Sequence, residues 1–263
     1  MNHTLEVIHQ RRSIRVYEQE PLTQEEKDAI IQATLRAPTA GGMMLYTVIE
    51  VEDQKLKDQL VSTCDNQPFI ASSSYLLLFL ADYQRWMDLY KAADCESRAA
   101  ELGIQARQPA EGDLLLALMD ALIAAQTAVL AAESMGIGSC YIGDIIENFE
   151  RHQEMFQLPQ YTFPAALICF GRSAEKSSNK PRPRFDREFI VHKNSYKKFD
   201  NDALNDMHKV YGSPSFEFRE YSNGAKNMVQ YNYIRKFTAD FSLEMTRSVR
   251  KMIQTWCGAE LQE

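Results

Sequence analysis

The stretch LLLALMDALIAAQTAVLAA, which begins at Leu114, constrains this chain more than any other. It is nearly long enough to cross a membrane, yet Asp120 and Gln126 interrupt it and Glu133 follows directly. Those polar residues fit poorly in lipid, so the pattern predicts a helix buried in the core of a water-soluble protein. With 263 residues, 45% of them hydrophobic and 25% charged, the chain has the material for one large domain or two small ones. The first residues, MNHTLEVIHQ, have neither the basic nor the apolar region of a secretory signal. A cytoplasmic protein without membrane association is the expectation.

Charge and cysteine usage remove further classes. A net charge of −7 repels phosphate backbones, so no nucleic-acid partner is expected. Five cysteines, Cys64, Cys95, Cys140, Cys169 and Cys257, are odd in number, widely spaced and without a CxxC pair, which reads as reduced thiols. His3, His9, His152, His192 and His208 never fall at ligand spacing, so no metal is expected. There is no G-x-S-x-G nucleophile elbow. GIGSCYIG, from Gly136, follows a predicted helix and lacks the third glycine of a dinucleotide turn.

Thr23 and Glu26 form a T-x-x-E capping box, which predicts a helix through QEEKDAIIQATLRA that stops at Pro38. TAGGMM then reads as a loop and YTVIEV as a strand. YLLLFLAD and AALICFG are continuous apolar runs of strand length, expected to be covered on both faces. Together they predict a mixed α/β layer with helices on both sides of a sheet. From about Lys180 the chain turns basic and proline-bearing, and residues 225–257 are helix-prone with scattered aromatics. Those aromatics need burial, in the chain's own core or on a partner subunit.

Five separated segments carry the remaining chemistry: RRSIR at Arg11–Arg15, PTAGG around Thr39, Asn66 and Gln67, CYIGD at Cys140–Asp144, and KPR at Lys180–Arg182. Arginine suits bidentate contact to phosphate, and lysine adds a point charge. The glycine segments can bring backbone amides against a flat ligand. The set suggests a phosphate-bearing aromatic cofactor held outside any nucleotide-binding fold. No convincing catalytic dyad of side chains accompanies it.

In that order, RRSIR, PTAGG, Gln67, AAESMGIGSCYIGDIIEN and KPRPR…HKNSY closely resemble the nitroreductase superfamily, in particular its NADPH-dependent oxygen-insensitive nitroreductases and flavin reductases. The resemblance runs from about Thr4 to Asp200. It implies an α+β nitroreductase-like fold: a central mixed β-sheet flanked by helices, an FMN-binding core over 1–200, and a C-terminal helical extension over 201–263 that packs on the partner subunit. It implies a homodimer with FMN as cofactor and NADPH or NADH as co-substrate.

By the same resemblance Arg11, Arg12, Ser13, Ile14 and Arg15 gather the FMN phosphate and ribityl chain, and Lys180 and Arg182 form a second phosphate clamp. Thr39 comes from the other subunit, and Gln67 bonds the polar edge of the ring. Tyr141, Ile142, Gly143 and Asp144 lie against the flavin, with a backbone amide directed to N5. No side chain is catalytic, because N5 carries the chemistry. The implied activity is ping-pong electron transfer from NAD(P)H to a small-molecule acceptor: a nitroaromatic, a quinone or free flavin. The alternatives are a flavin-binding or sensing protein, or another flavin chemistry such as reductive dehalogenation.

Three features depart from the family pattern. Asp144 stands where relatives often have glycine, so its carboxylate either faces the flavin or caps the following helix. Arg85–Asp113 is a longer excursion, expected to form a helical flap at the pocket mouth. The region after Asp200 matches poorly.

Overall fold

Thr23 Oγ1 accepts from the Glu26 amide at 3.2 Å while the Glu26 carboxylate accepts from the Thr23 amide at 2.8 Å. The capping box thus starts a helix where the sequence places it. The computed structural model describes residues 2–174, 181–212 and 215–258, which fall into two compact units. The first comprises 1–179 and 244–263, the second 180–243. The sequence resemblance implies a core over 1–200 and an extension over 201–263 of the same domain; residues 244–258 belong to the first unit.

In the first unit the chain runs through α1 (His3–Gln10), α2 (Gln24–Thr34), β1 (Tyr46–Glu50), α3 (Gln54–Thr63) and β2 (Tyr75–Asp82). It continues with α4 (Gln84–Ala92), α5 (Cys95–Glu101), α6 (Glu111–Ser134), β3 (Gly138–Ile142), α7 (Phe149–Phe156) and β4 (Thr162–Gly171). The sequence carried α2 on to Pro38, but Arg36 and Ala37 already make the tighter turns that end it, their amides donating to Ala33 and Thr34.

The four strands lie in the order β1-β2-β4-β3, each pair antiparallel. The mixed sheet expected from the sequence is therefore antiparallel in its named strands. Among the described residues its parallel component is a bridge between Ser13 and Ser139. Hairpin-type pairing needs no helical crossover, so short buried strands did not imply parallel ones. Pro164 sits in β4 where the register to β2 shifts and beyond the segment that pairs with β3, a position where a missing N–H is tolerated.

β2 is buried along its whole length, and its period of two feeds two cores. Tyr75, Leu77 and Phe79 pack toward α6, whereas Leu76, Leu78 and Leu80 meet Leu60, Cys64 and Ile70 on the other face. α6 reaches the sheet through Ala117, Ala121, Ala124, Ala125, Ala128 and Ala132, a stripe at helical spacing whose small side chains let helix and strands approach closely. The run at Leu114 is thus the central core helix. It also meets the length and composition of a membrane span, and only part of it is buried.

The second unit holds α8 (Arg187–Ile190), α9 (Asn201–Met207), α10 (Met228–Asn232) and the start of α11 (Asp240–Cys257). From Glu244 onward α11 packs against the first unit of its own chain. Trp256 is 1% exposed, stacks edge-on against Tyr161 and donates from Nε1 to the Ala110 carbonyl at 3.2 Å. Arg247 grips Glu150 with two bonds of 2.8 Å, and Ser248 accepts from the Phe149 amide.

Candidate ligand site

The segment after α1 crosses the end of β3. Ser13 bridges Ser139, and the Ile14 amide donates to the Ser139 carbonyl at 2.9 Å. Gly138 permits the crossing: a Cβ there would lie 2.5 Å from Ile14 Cγ1. Ile14 is buried and locks the segment, so its side chain faces the core and only its backbone is available to a ligand. Arg11 and Arg12 are half-buried on either side of the resulting ridge, with Ser13 and Arg15 exposed. Arg15 lies over the Phe69 ring at 5.8 Å. Among the described residues neither Arg11 nor Arg15 has an ion-pair partner, which leaves positive charge open to an anion.

β3 then delivers Tyr141 and Ile142 to a 3₁₀ turn at Gly143–Ile146. Ile142 points into the core. The Tyr141 hydroxyl donates to Gln126 of α6 at 3.4 Å. A Cβ at Gly143 would meet nothing within 4 Å, so the backbone there borders open space.

Gln67 joins this turn from the other side. After α3 the chain reverses through Asp65 and Asn66, both at positive φ, a conformation these two residue types tolerate better than most. The reversal brings Gln67 Nε2 to the Cys64 carbonyl at 3.0 Å and to Asp144 Oδ2 at 2.7 Å. Asp144 therefore caps no helix with its side chain; α7 starts from Asn148 without a side-chain cap. The carboxylate is tied to Gln67 instead.

Sequence reasoning missed Glu147, three residues further on. It is 6% exposed, its amide donates to the Asp144 carbonyl at 3.0 Å, and its carboxyl is pushed up to about 8, first by burial and then by the Asp144 charge. Its other oxygen, Oε1, is buried without a partner. Nearby His152 is buried and lowered to about 4 by desolvation, with Nε2 against Thr63 Oγ1 at 2.8 Å. The acidic residue one turn beyond CYIGD was the only trace of this pair in the sequence.

Thr39 stands apart. Its hydroxyl donates to Asp120 of α6 and accepts from the Met44 amide at 2.8 Å. Asp120 also accepts from the Ala40 and Leu45 amides at 2.9 and 3.0 Å. The acid that interrupts the apolar run of α6 is thus the anchor of the PTAGG loop. Gln126, which meets Tyr141, lies six residues along the same helix, a rise of about 9 Å.

Arg182 is exposed in the second unit, its carbonyl accepting from Arg184. Lys180 lies outside the described residues. Arg85–Asp113 does contain two helices, α4 and α5, which border a cavity of about 350 Å³ lined by Tyr83, Met87, Tyr90, Ala99 and Ile104. All five cysteines are free, and no group of metal-ligating side chains occurs among the described residues.

The site therefore comprises an arginine-bearing ridge, an open glycine turn and an amide side chain held by one carboxylate and one backbone carbonyl. Comparison with known proteins agrees with that architecture. The FMN reductase (NADPH) of Bacillus subtilis is 31% identical over 239 residues, covering 90% of this chain and 92% of its own. The oxygen-insensitive NADPH nitroreductase of Salmonella typhimurium is 31% identical over 204 residues, 78% of this chain and 79% of its own. The crystal structure of nitroreductase A from Vibrio parahaemolyticus superposes with a TM-score of 0.76 at 25% identity, covering 96% of this chain and 98% of that one. Residues 8–172, which span both the ridge and the glycine turn, match the Nitroreductase family, and the chain belongs to it.

Proposed function

We propose that the chain is an FMN-dependent oxidoreductase that passes electrons from NAD(P)H to a small-molecule acceptor: a nitroaromatic, a quinone or free flavin. The observation that carries this reading is the Ser13–Ser139 bridge, which sets the arginine segment at the start of the strand that leads to the open turn at Gly143. The residues fit FMN by their chemistry. The guanidinium groups of Arg11 and Arg15, which have no ion-pair partner among the described residues, match a phosphate dianion, the open Gly143 backbone accepts a flat ring, and Gln67 Oε1 is available as an acceptor. Bound there, FMN supplies reversible two-electron chemistry that no side chain of the site offers.

The protein's part is to bind and orient. Arg11, Arg12, Ser13 and Arg15 neutralise and hold the phosphate and ribityl chain. The backbone of Tyr141–Asp144 borders the ring, and Gln67 meets its polar edge. Donor and acceptor visit the same face in turn, a ping-pong order. Because the Thr39 hydroxyl is committed to Asp120, the PTAGG loop acts through its backbone, on the flavin of a second subunit.

The homodimer this requires is supported by the outward face of α6. Leu115, Met119, Leu122 and Ile123 stand exposed at i, i+4, i+7 and i+8, an apolar stripe that a second copy would cover. We read the dimer as cytoplasmic. The test is to add NADPH anaerobically to the FMN-loaded protein. The yellow colour should bleach, and a nitroaromatic should restore it. Bound FMN that NADPH never bleaches would favour a binding or sensing role, and a colourless protein that takes up no FMN would refute the reading.

A further inference from the structure

The turn at Gly143–Ile146 places a second carboxyl group behind Asp144, and nothing in the proposed electron transfer uses it. Gln67 Nε2 faces two acceptors, the Cys64 carbonyl and Asp144 Oδ2. A carbonyl can only accept, so the amide orientation is fixed: both donors point inward and Oε1 points away. Asp144 stands one turn before Glu147, whose amide donates to the Asp144 carbonyl at 3.0 Å, and the Asp144 charge acts on the Glu147 carboxyl. Two ionised carboxylates on one turn repel with no donor between them, which favours a single shared proton. The buried, unpartnered Glu147 Oε1 marks Glu147 as the group that keeps it, because an ionised oxygen there would have neither water nor a donor.

Building on the flavin reading above, we propose that Glu147 is a positioning residue: its proton bridges to Asp144, which holds the Gln67 amide so that Oε1 is presented to a ring N–H of the bound flavin. The groups that act most on Glu147 are Asp144, Asp65 and Glu244, all acidic; Glu244 is itself held by Arg247 and Ser248. His152 is close by and neutral, and Cys64 is a buried thiol raised by its surroundings. Ionising Glu147 puts two carboxylates side by side, and their repulsion displaces Asp144 together with the Gln67 amide it holds. Burial and the Asp144 charge place that event at about pH 8.

Two measurements on the full-length protein test this. Infrared titration of the apoprotein from pH 6 to 9.5 should show a protonated carboxyl band that disappears around pH 8 and is missing from Glu147→Gln. FMN titration by flavin fluorescence should show affinity weakening about tenfold between pH 7 and 9.2, the scale of one lost hydrogen bond. Glu147→Gln should keep the tight affinity without the pH step, since its amide still donates to Asp144. Gln67→Leu should bind more weakly at every pH, again without the step. If Glu147→Gln does not fold, Asp144→Asn serves, moving the carboxyl band to lower pH.

Absence of any carboxyl titrating above pH 7 would overturn the proposal, and so would a band that titrates while FMN affinity stays flat. A structural role alone would shift the melting temperature and leave the affinity profile unchanged. Failure of the parent to bind FMN at any pH overturns the flavin reading and the ligand half of this proposal with it, while the infrared titration still decides the carboxyl pair.

Discussion

Gln67 Nε2 donates to Asp144 Oδ2 at 2.7 Å, a bond that spans 77 positions of sequence and closes one side of the site. It puts a carboxylate beside the turn assigned to the flavin ring. A negative charge within about 6 Å of a ring that gains electrons disfavours reduction, by roughly 3 kcal/mol at an effective dielectric near 20 and before screening. Asp144→Asn removes the charge and keeps an acceptor for Gln67. The two-electron potential of the bound flavin should rise by a few tens of millivolts, at about 30 mV per 1.4 kcal/mol. Redox titration measures this, and an unmoved potential would count against the charge facing the flavin.

Arg15 is exposed and, apart from its contact with Phe69, has no described partner. Arg15→Ala should therefore leave the melting temperature nearly unchanged and weaken FMN roughly ten- to a hundredfold, the worth of a charge-assisted phosphate contact. Equal flavin retention by variant and parent after dialysis would make the arginines ordinary surface charge.

Asp120 is 3% exposed and satisfies three donors: the Thr39 hydroxyl and the amides of Ala40 and Leu45. Asp120→Ala leaves all three without a partner, at about 1–3 kcal/mol each where they stay buried. A fall in stability of about 3 kcal/mol or more is expected in a chemical melt. A loss under 1 kcal/mol would mean that water replaces the carboxylate and that the PTAGG loop does not depend on it.

Two neighbours give stability opposite slopes with pH. His152 is lowered from 6.5 to about 4, so between those values the unfolded chain binds the extra proton and stability falls as pH drops. Glu147 is raised from 4.5 to about 8, so in that window the native state binds the extra proton and stability falls as pH rises. Glu147→Gln should therefore gain on the parent progressively from pH 5 to pH 8 in thermal melts, then hold a constant advantage. A difference independent of pH would show that Glu147 titrates normally.

Trp256 tests how the tail packs. Buried against Tyr161 and Ala110 of its own chain, its replacement by alanine should cost about 3–5 kcal/mol. That cost should not depend on protein concentration. A concentration-dependent loss would return this part of the tail to a subunit interface.

Much of the scaffold was legible because its signals are local. The Thr23–Glu26 box needs four residues to be read, and β2 occupies the whole of YLLLFLAD because an unbroken apolar run bounded by polar residues has few other uses. Strand direction was not legible, since burial on both faces follows from helix cover and not from parallel pairing. Trp256 showed that a tail needed burial without showing against what. At the site, the arginines and glycines announced themselves by type. Asp120 was seen only as an interruption of α6, and Glu147 was not singled out, because their roles depend on partners up to 81 positions away or on a turn that buries them.

The central claim is that FMN sits between the Arg11–Arg15 ridge and the Gly143 turn. A crystal structure of the protein grown with FMN tests it most directly. The expected result is a flavin phosphate within hydrogen-bond distance of Arg11, Arg12 or Arg15, the ring against Gly143 and the PTAGG backbone of a second copy beside it. FMN density elsewhere on the protein, with the ridge bound only to solvent, would contradict the account.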